Sequence, residues 1–180
     1  TSLDLASFTF EVWFRIDDIS NQARQAFLDK STGVGSSYAF RFEFNQQSMS
    51  NKTRCAMNMT SISDPPTFTD EFDVESAFNS TVMGRYYYVA CTYDNTTKDY
   101  KLYMNGQIAQ GEIIGPNESP LFSPANLSIS RRAIDVTSSS DYLNGTIDEL
   151  RISNIARTEQ DLFGNWGYTC IGSGDTYQCG

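Results

Sequence analysis

Seven of the twelve asparagines open an Asn-X-Ser/Thr triplet: Asn51, Asn58, Asn79, Asn95, Asn117, Asn126 and Asn144. The chemistry such a triplet receives is attachment of an N-linked glycan to the amide, and this excess implies a secreted, sugar-coated chain. Asn117-Glu118-Ser119 is the weakest acceptor, because Pro120 follows it directly. Cys55, Cys91, Cys170 and Cys179 form an even set, so an oxidising compartment would give two disulfides with three connectivities open. The favoured pairing is Cys55 with Cys91, clipping two core strands, and Cys170 with Cys179, closing a small loop that holds Gly172 and Gly174. A third reactive group is Glu71, Asp73 and Glu75, whose alternation puts three carboxyls on one face of a strand.

Much other chemistry is excluded. The chain has no histidine, which removes the usual Ser-His-Asp and Cys-His arrangements, and it has no Gly-rich loop opening a helix to hold phosphate. Zinc would need ligands at short, repeated spacing, and these are missing too. With 22 acidic and 13 basic side chains, the net charge of -9 repels nucleic acid and anionic membrane surfaces; the one adjacent basic pair is Arg131-Arg132. Apolar runs such as Tyr86 to Cys91 are far too short to span a bilayer, so no membrane insertion is expected. The chain opens at Thr1 with no initiator methionine, as expected of a mature or excised piece of a longer product.

The elements that must position these groups are strands. At 180 residues the chain suffices for one well-buried core, and no flexible linker divides it. Phe8, Phe10, Val12, Phe14 and Ile16 alternate with Thr9, Glu11, Trp13 and Arg15, and Trp13 implies that this second face is partly covered. Phe27-Leu28 makes a short strand. Tyr38 to Phe44, Arg54 to Thr60, Glu71 to Glu75 and Arg85 to Tyr93 read in the same style, with Asp64-Pro65-Pro66 as a break. Tyr100 to Met104 runs into Asn105-Gly106, the sequence of a type I′ hairpin turn. Asn126 to Ser130 and Gly145 to Ser153 are later strands, and only Thr158 to Phe163 looks helical. The class is all-β: an antiparallel two-sheet sandwich.

Three blocks carry a resemblance. Phe8-Thr-Phe-Glu-Val-Trp-Phe resembles the first central strand of LamG-like jelly rolls of the concanavalin A-like superfamily. Arg85-Tyr-Tyr-Tyr-Val-Ala-Cys-Thr-Tyr-Asp with Tyr100-Lys-Leu-Tyr-Met-Asn-Gly is similar to the family's strand, turn and strand ending in an Asn-Gly hairpin. Leu143-Asn-Gly-Thr-Ile-Asp-Glu-Leu-Arg-Ile-Ser-Asn-Ile-Ala-Arg resembles its closing strand and short helical turn. Tyr86 stands where the family often has tryptophan. The resemblance implies a jelly-roll domain over 1–163, followed by a Cys/aromatic extension over 164–180. It also implies a glycan- or protein-binding module rather than an enzyme.

Within the same superfamily, Glu71-Phe-Asp-Val-Glu75 resembles the Glu-X-Asp-X-Glu signature of family 16 β-glycanases. Glu71 would then be the nucleophile of a retaining mechanism, which needs two carboxyls about 5.5 Å apart. Against this stand the triplet at Asn79, whose glycan would share the acids' face, and a chain short of groove-walling loops; the acids are read as a solvated face and not as catalytic. No cofactor is required. Calcium stays open, as in many relatives: Asp148 matches an aspartate that some of them use, and Asp94, Asp99, Asp135 and Asp141 lie in loops. Tyr87, Tyr93 and Tyr103 are candidates for a sugar-stacking platform.

LamG-like domains usually begin with an earlier strand that pairs with the closing one, whereas only seven residues precede Phe8 here. That leaves Gly145 to Ser153 as an open edge, which templates association. The leading expectation is therefore an extracellular structural or adhesive module that assembles with copies of itself into a fibre, surface appendage or matrix. Ile147, Leu150 and Ile152 on the edge and Trp166 and Tyr168 in the tail would make the contact. The alternatives are a glycan-binding lectin-type module and the β-glycanase.

Overall fold

A computed structural model describes residues 3, 5–18, 24–31, 38–45, 52–61, 68–76, 83–121, 124–131, 142–164, 170–171 and 178–179. Strict alternation builds the central strand β1 (Phe8–Ile16), which buries Phe8, Phe10, Val12, Phe14 and Ile16 on one face. It is followed by β2 (Arg24–Ser31), β3 (Tyr38–Asn45), β4 (Lys52–Ser61), β5 (Phe68–Ser76), β6 (Tyr86–Tyr93), β7 (Asp99–Met104) and β8 (Gln107–Ile113). The later elements are β9 (Glu118–Pro120), β10 (Ser128–Ile129), β11 (Gly145–Ser153), α1 (Glu159–Gly164), β12 (Cys170–Ile171) and β13 (Gln178–Cys179).

One sheet has the order β11-β1-β6-β7-β8 and the other β10-β2-β3-β4-β5, with β9 added to β4. Every pairing among the described residues is antiparallel. Between the sheets lies an aromatic core in which Phe10 meets Phe40 and Phe14 meets Phe27, each pair with ring centroids 4.4 Å apart. A disulfide joins Cys55 of β4 to Cys91 of β6, crossing from one sheet to the other through this core. Turn chemistry closes the β7–β8 hairpin: Asn105 and Gly106 have φ of 44° and 93°, the left-handed pair that a type I′ turn requires.

The outer face of the five-stranded sheet carries a second, smaller core. Trp13, Tyr88, Ala90 and Tyr103 pack there against Leu162 of α1. The helix is started by a reciprocal cap, in which the Asp161 amide donates to Thr158 Oγ1 while Asp161 Oδ2 accepts from the Thr158 hydroxyl and amide. The chain leading into α1 is clasped to β1: Thr9 donates to the Ile155 carbonyl and accepts from the Arg157 amide. Beside it, fully buried Glu11 accepts from Arg157 at 2.8 Å and from the Tyr88 hydroxyl at 3.0 Å. This covering accounts for an apolar Trp13 on the polar side of its strand.

Candidate functional site

β3 and β4 send Phe40, Phe42, Cys55 and Met57 into the core, so period two turns Arg41, Glu43, Arg54, Ala56 and Asn58 to the other face of the six-stranded sheet. Asp29 joins them from β2, opposite Arg41. All are buried, and the charges are held in one network: Arg41 lies 3.0 Å from Asp29 and 3.7 Å from Glu43, and Arg54 lies 3.6 Å from Glu43. A face built from two guanidinium groups, two carboxylates and an amide is rich in fixed donors and acceptors.

At the β10 edge of that sheet the network gives way to accessible side chains. Ser128 pairs with Asp29, Ser130 turns the chain at φ 62°, and Arg131 then bridges to Tyr142. The Arg131 guanidinium sits 4.9 Å from the centroid of the Tyr142 ring, a cation–π contact. Tyr142 remains 36% exposed and Ile129, two residues before Arg131, 53%. An exposed ring for stacking and a planar cation for a carboxylate, set at the edge of a buried charge network, are the parts of a site for an acidic sugar.

The residues singled out from sequence are distributed differently. Tyr87, Tyr93 and Tyr103 do not form a platform: Tyr87 and Tyr93 are buried in the main core and Tyr103 in the small one, because their faces are covered by the opposing sheet and by α1. Asn58 is fully buried within β4, which leaves no room for a glycan on its amide. Asn117, Asn126 and Asn144 are exposed, and Asn95 is half-buried with its Oδ1 accepting from Lys98 and Tyr93; Asn51 and Asn79 lie outside the described residues. Cys170 stands opposite Cys179 in the β12–β13 register.

Ile147, Leu150 and Ile152 are not offered to a neighbour, since all three pack against the chain's own core. Their strand ends its sheet among the described residues, but it is shaped against pairing: a bulge opposite β1 puts Glu149 at φ 48°, and Asp148, Glu149 and Arg151 are exposed along it. Trp166 and Tyr168 lie outside the described residues. Of the aspartates considered for calcium, Asp94 accepts from the Thr96 amide, Asp99 pairs with Lys101, and Asp148 accepts from the Glu149 amide. Asp135 and Asp141 lie outside the described residues, among which no group of three or more potential ligands converges. Glu71, Asp73 and Glu75 occupy β5 opposite Asn58, Ala56 and Arg54; their side chains lie outside the described residues.

The sequence reading missed Asp29, Arg41, Glu43, Arg54 and Tyr142 as a group. Arg41 and Glu43 were visible as the polar half of an alternating strand; the only pointer to Arg131 was its place in the single basic pair.

The fold has wide company among solved structures. The CBM40 of Ruminococcus gnavus IT-sialidase bound to α2,3-sialyllactose superposes with a TM-score of 0.65 at 14% identity, covering 91% of this chain and 84% of that one. A leech intramolecular trans-sialidase matches with a TM-score of 0.65 at 14% identity, over 98% of this chain and 27% of its own. A heptameric SAP-like pentraxin from Limulus polyphemus matches with a TM-score of 0.57 at 9% identity, over 88% and 68%. At these identities the likeness is one of fold. No curated protein matches in sequence. A family model described as the concanavalin A-like lectin/glucanases superfamily matches residues 1–163, and the chain belongs to that superfamily as a laminin G-type jelly roll.

Proposed function

We propose that the chain is an extracellular, non-catalytic module that binds acidic, sialic acid-bearing glycans. The observation that carries this reading is the rim at β10, where the Arg131 guanidinium lies on exposed Tyr142. A sialic acid offers a carboxylate, which Arg131 can take in a charge-assisted hydrogen bond, and a pyranose ring whose C–H face suits Tyr142. Family membership, and the sialyllactose bound by a CBM40 of the same fold, support the class of ligand. The inter-sheet disulfide supports the compartment, because such bonds persist outside the cytosol.

This reading displaces self-assembly as the leading one, since the edge once expected to recruit a neighbour is bulged and charged. A glycan array tests it. Retention on sialylated glycans and loss after enzymatic desialylation are expected; equal retention on the desialylated set, or none on any glycan, would overturn it.

A further inference from the structure

The five-stranded sheet carries an exposed patch at the end away from α1. Tyr86 is 45% exposed and Met83 50%, and the Arg15 guanidinium lies 5.3 Å from the Tyr86 ring centroid. In register, Tyr86 of β6 faces Arg15 of β1, and Arg15 faces Thr146 of β11, so the three form a row across neighbouring strands. Arg15 is fixed in that row by Asp17 at 2.7 Å and by the Thr146 hydroxyl at 3.3 Å.

Thr146 is the third residue of the triplet Asn144-Gly145-Thr146. The Asp17 amide donates to the Asn144 carbonyl at 2.9 Å, which extends the β1–β11 ladder one step beyond Gly145. Alternation then puts Asn144, Thr146, Asp17, Arg15 and Tyr86 on one face. Gly145 makes this closeness obligatory, because a Cβ there would lie 1.9 Å from the Arg15 carbonyl oxygen. Asn144 is exposed. From its strand to that of Tyr86 is two strand spacings, roughly 10 Å, a distance that the first two sugars of an N-linked glycan can span.

We infer that Asn144 carries an N-linked glycan whose first sugars lie across Arg15 and stack on Tyr86 and Met83. The sugar would cover an apolar patch that is otherwise left in water, its C–H faces on the ring and its hydroxyls toward Arg15 and Asp17. Leu143 packs on the core, and at Asn144 the chain has crossed to the five-stranded sheet, so the glycan lies over that sheet and leaves Tyr142 clear.

Peptide mapping of the full chain secreted from eukaryotic cells, joined to hydroxyl-radical labelling before and after enzymatic removal of N-glycans, tests this. The expected result is an occupied Asn144, a severalfold rise in labelling of Tyr86 and Met83 on removal, and unchanged labelling of Tyr142. An unmodified Asn144 peptide overturns the proposal, and so does an occupied one whose removal leaves Tyr86 unchanged or unmasks Tyr142 instead. Glycan-array binding is independent of these readouts, so failure of the ligand reading is told apart from failure here.

Discussion

Single side chains at the core boundary carry consequences that composition alone would not assign. Tyr93 is buried against Tyr100 and donates its hydroxyl to Asn95, and burial, followed by the charges of Asp94 and Glu118, pushes its phenol up to about 12 from 10.0. The folded state therefore holds the neutral phenol more tightly than the unfolded state does. Its contribution to stability is complete below pH 10 and is lost as pH rises from 10 towards 12. Urea midpoints followed across that range should fall, and Tyr93→Phe should fall less steeply; identical slopes would show that Tyr93 does not contribute. Tyr88, also raised by burial and by Glu11, keeps part of the decline in that variant. Asn58 teaches a related lesson, for a triplet that reads as a glycan acceptor becomes inaccessible once alternation places it inside a sheet.

Elements were legible in sequence wherever one face was apolar and the other polar. Phe8–Ile16 and Tyr38–Asn45 show this, and the Asn-Gly turn between β7 and β8 follows from backbone chemistry alone. β2 was read as only Phe27-Leu28, yet it runs over Arg24–Ser31, because Gln25, Asp29 and Lys30 are buried too and so mask the alternation. Charges enter a sheet interior when they find partners on neighbouring strands, here Arg41 of β3 for Asp29 of β2. Partners can also come from far along the chain, as in the clasp before α1, where Glu11 and Arg157 meet across most of it. Glu11→Ala strips the counter-charge from a largely buried guanidinium and the acceptor from Tyr88. It should cost about 3–5 kcal/mol of stability, read from chemical denaturation, whereas an unchanged midpoint would mean that the clasp is dispensable.

At the scale of the whole molecule, two sheets meet over an aromatic core and are tied through it by Cys55 and Cys91. Replacing both cysteines by alanine should cost about 2–5 kcal/mol, since the open chain regains loop entropy; equal stability of the double variant would mean that packing alone fixes the sheets. The jelly roll was legible from three sequence blocks. Its candidate site was not, because Arg131 and Tyr142 belong to segments without periodicity and are brought together only by the bridge at the β10 edge. The platform expected on tyrosines of regular strands failed for the complementary reason: Tyr87, Tyr93 and Tyr103 sit where the opposing sheet or α1 covers their strands. The proposed glycan site therefore rests on an irregular rim, formed by Arg131 and Tyr142. Titration of 3′-sialyllactose into the native chain and into Arg131→Ala, Tyr142→Ala and Tyr86→Ala variants tests that claim most directly. Loss of one charge-assisted hydrogen bond costs roughly 1.5–3 kcal/mol and loss of one stacking contact roughly 0.5–1.5 kcal/mol. Arg131→Ala should therefore bind at least about tenfold more weakly and Tyr142→Ala about two- to tenfold, while Tyr86→Ala binds as the native chain does. Native-like binding by both Arg131→Ala and Tyr142→Ala would contradict the account.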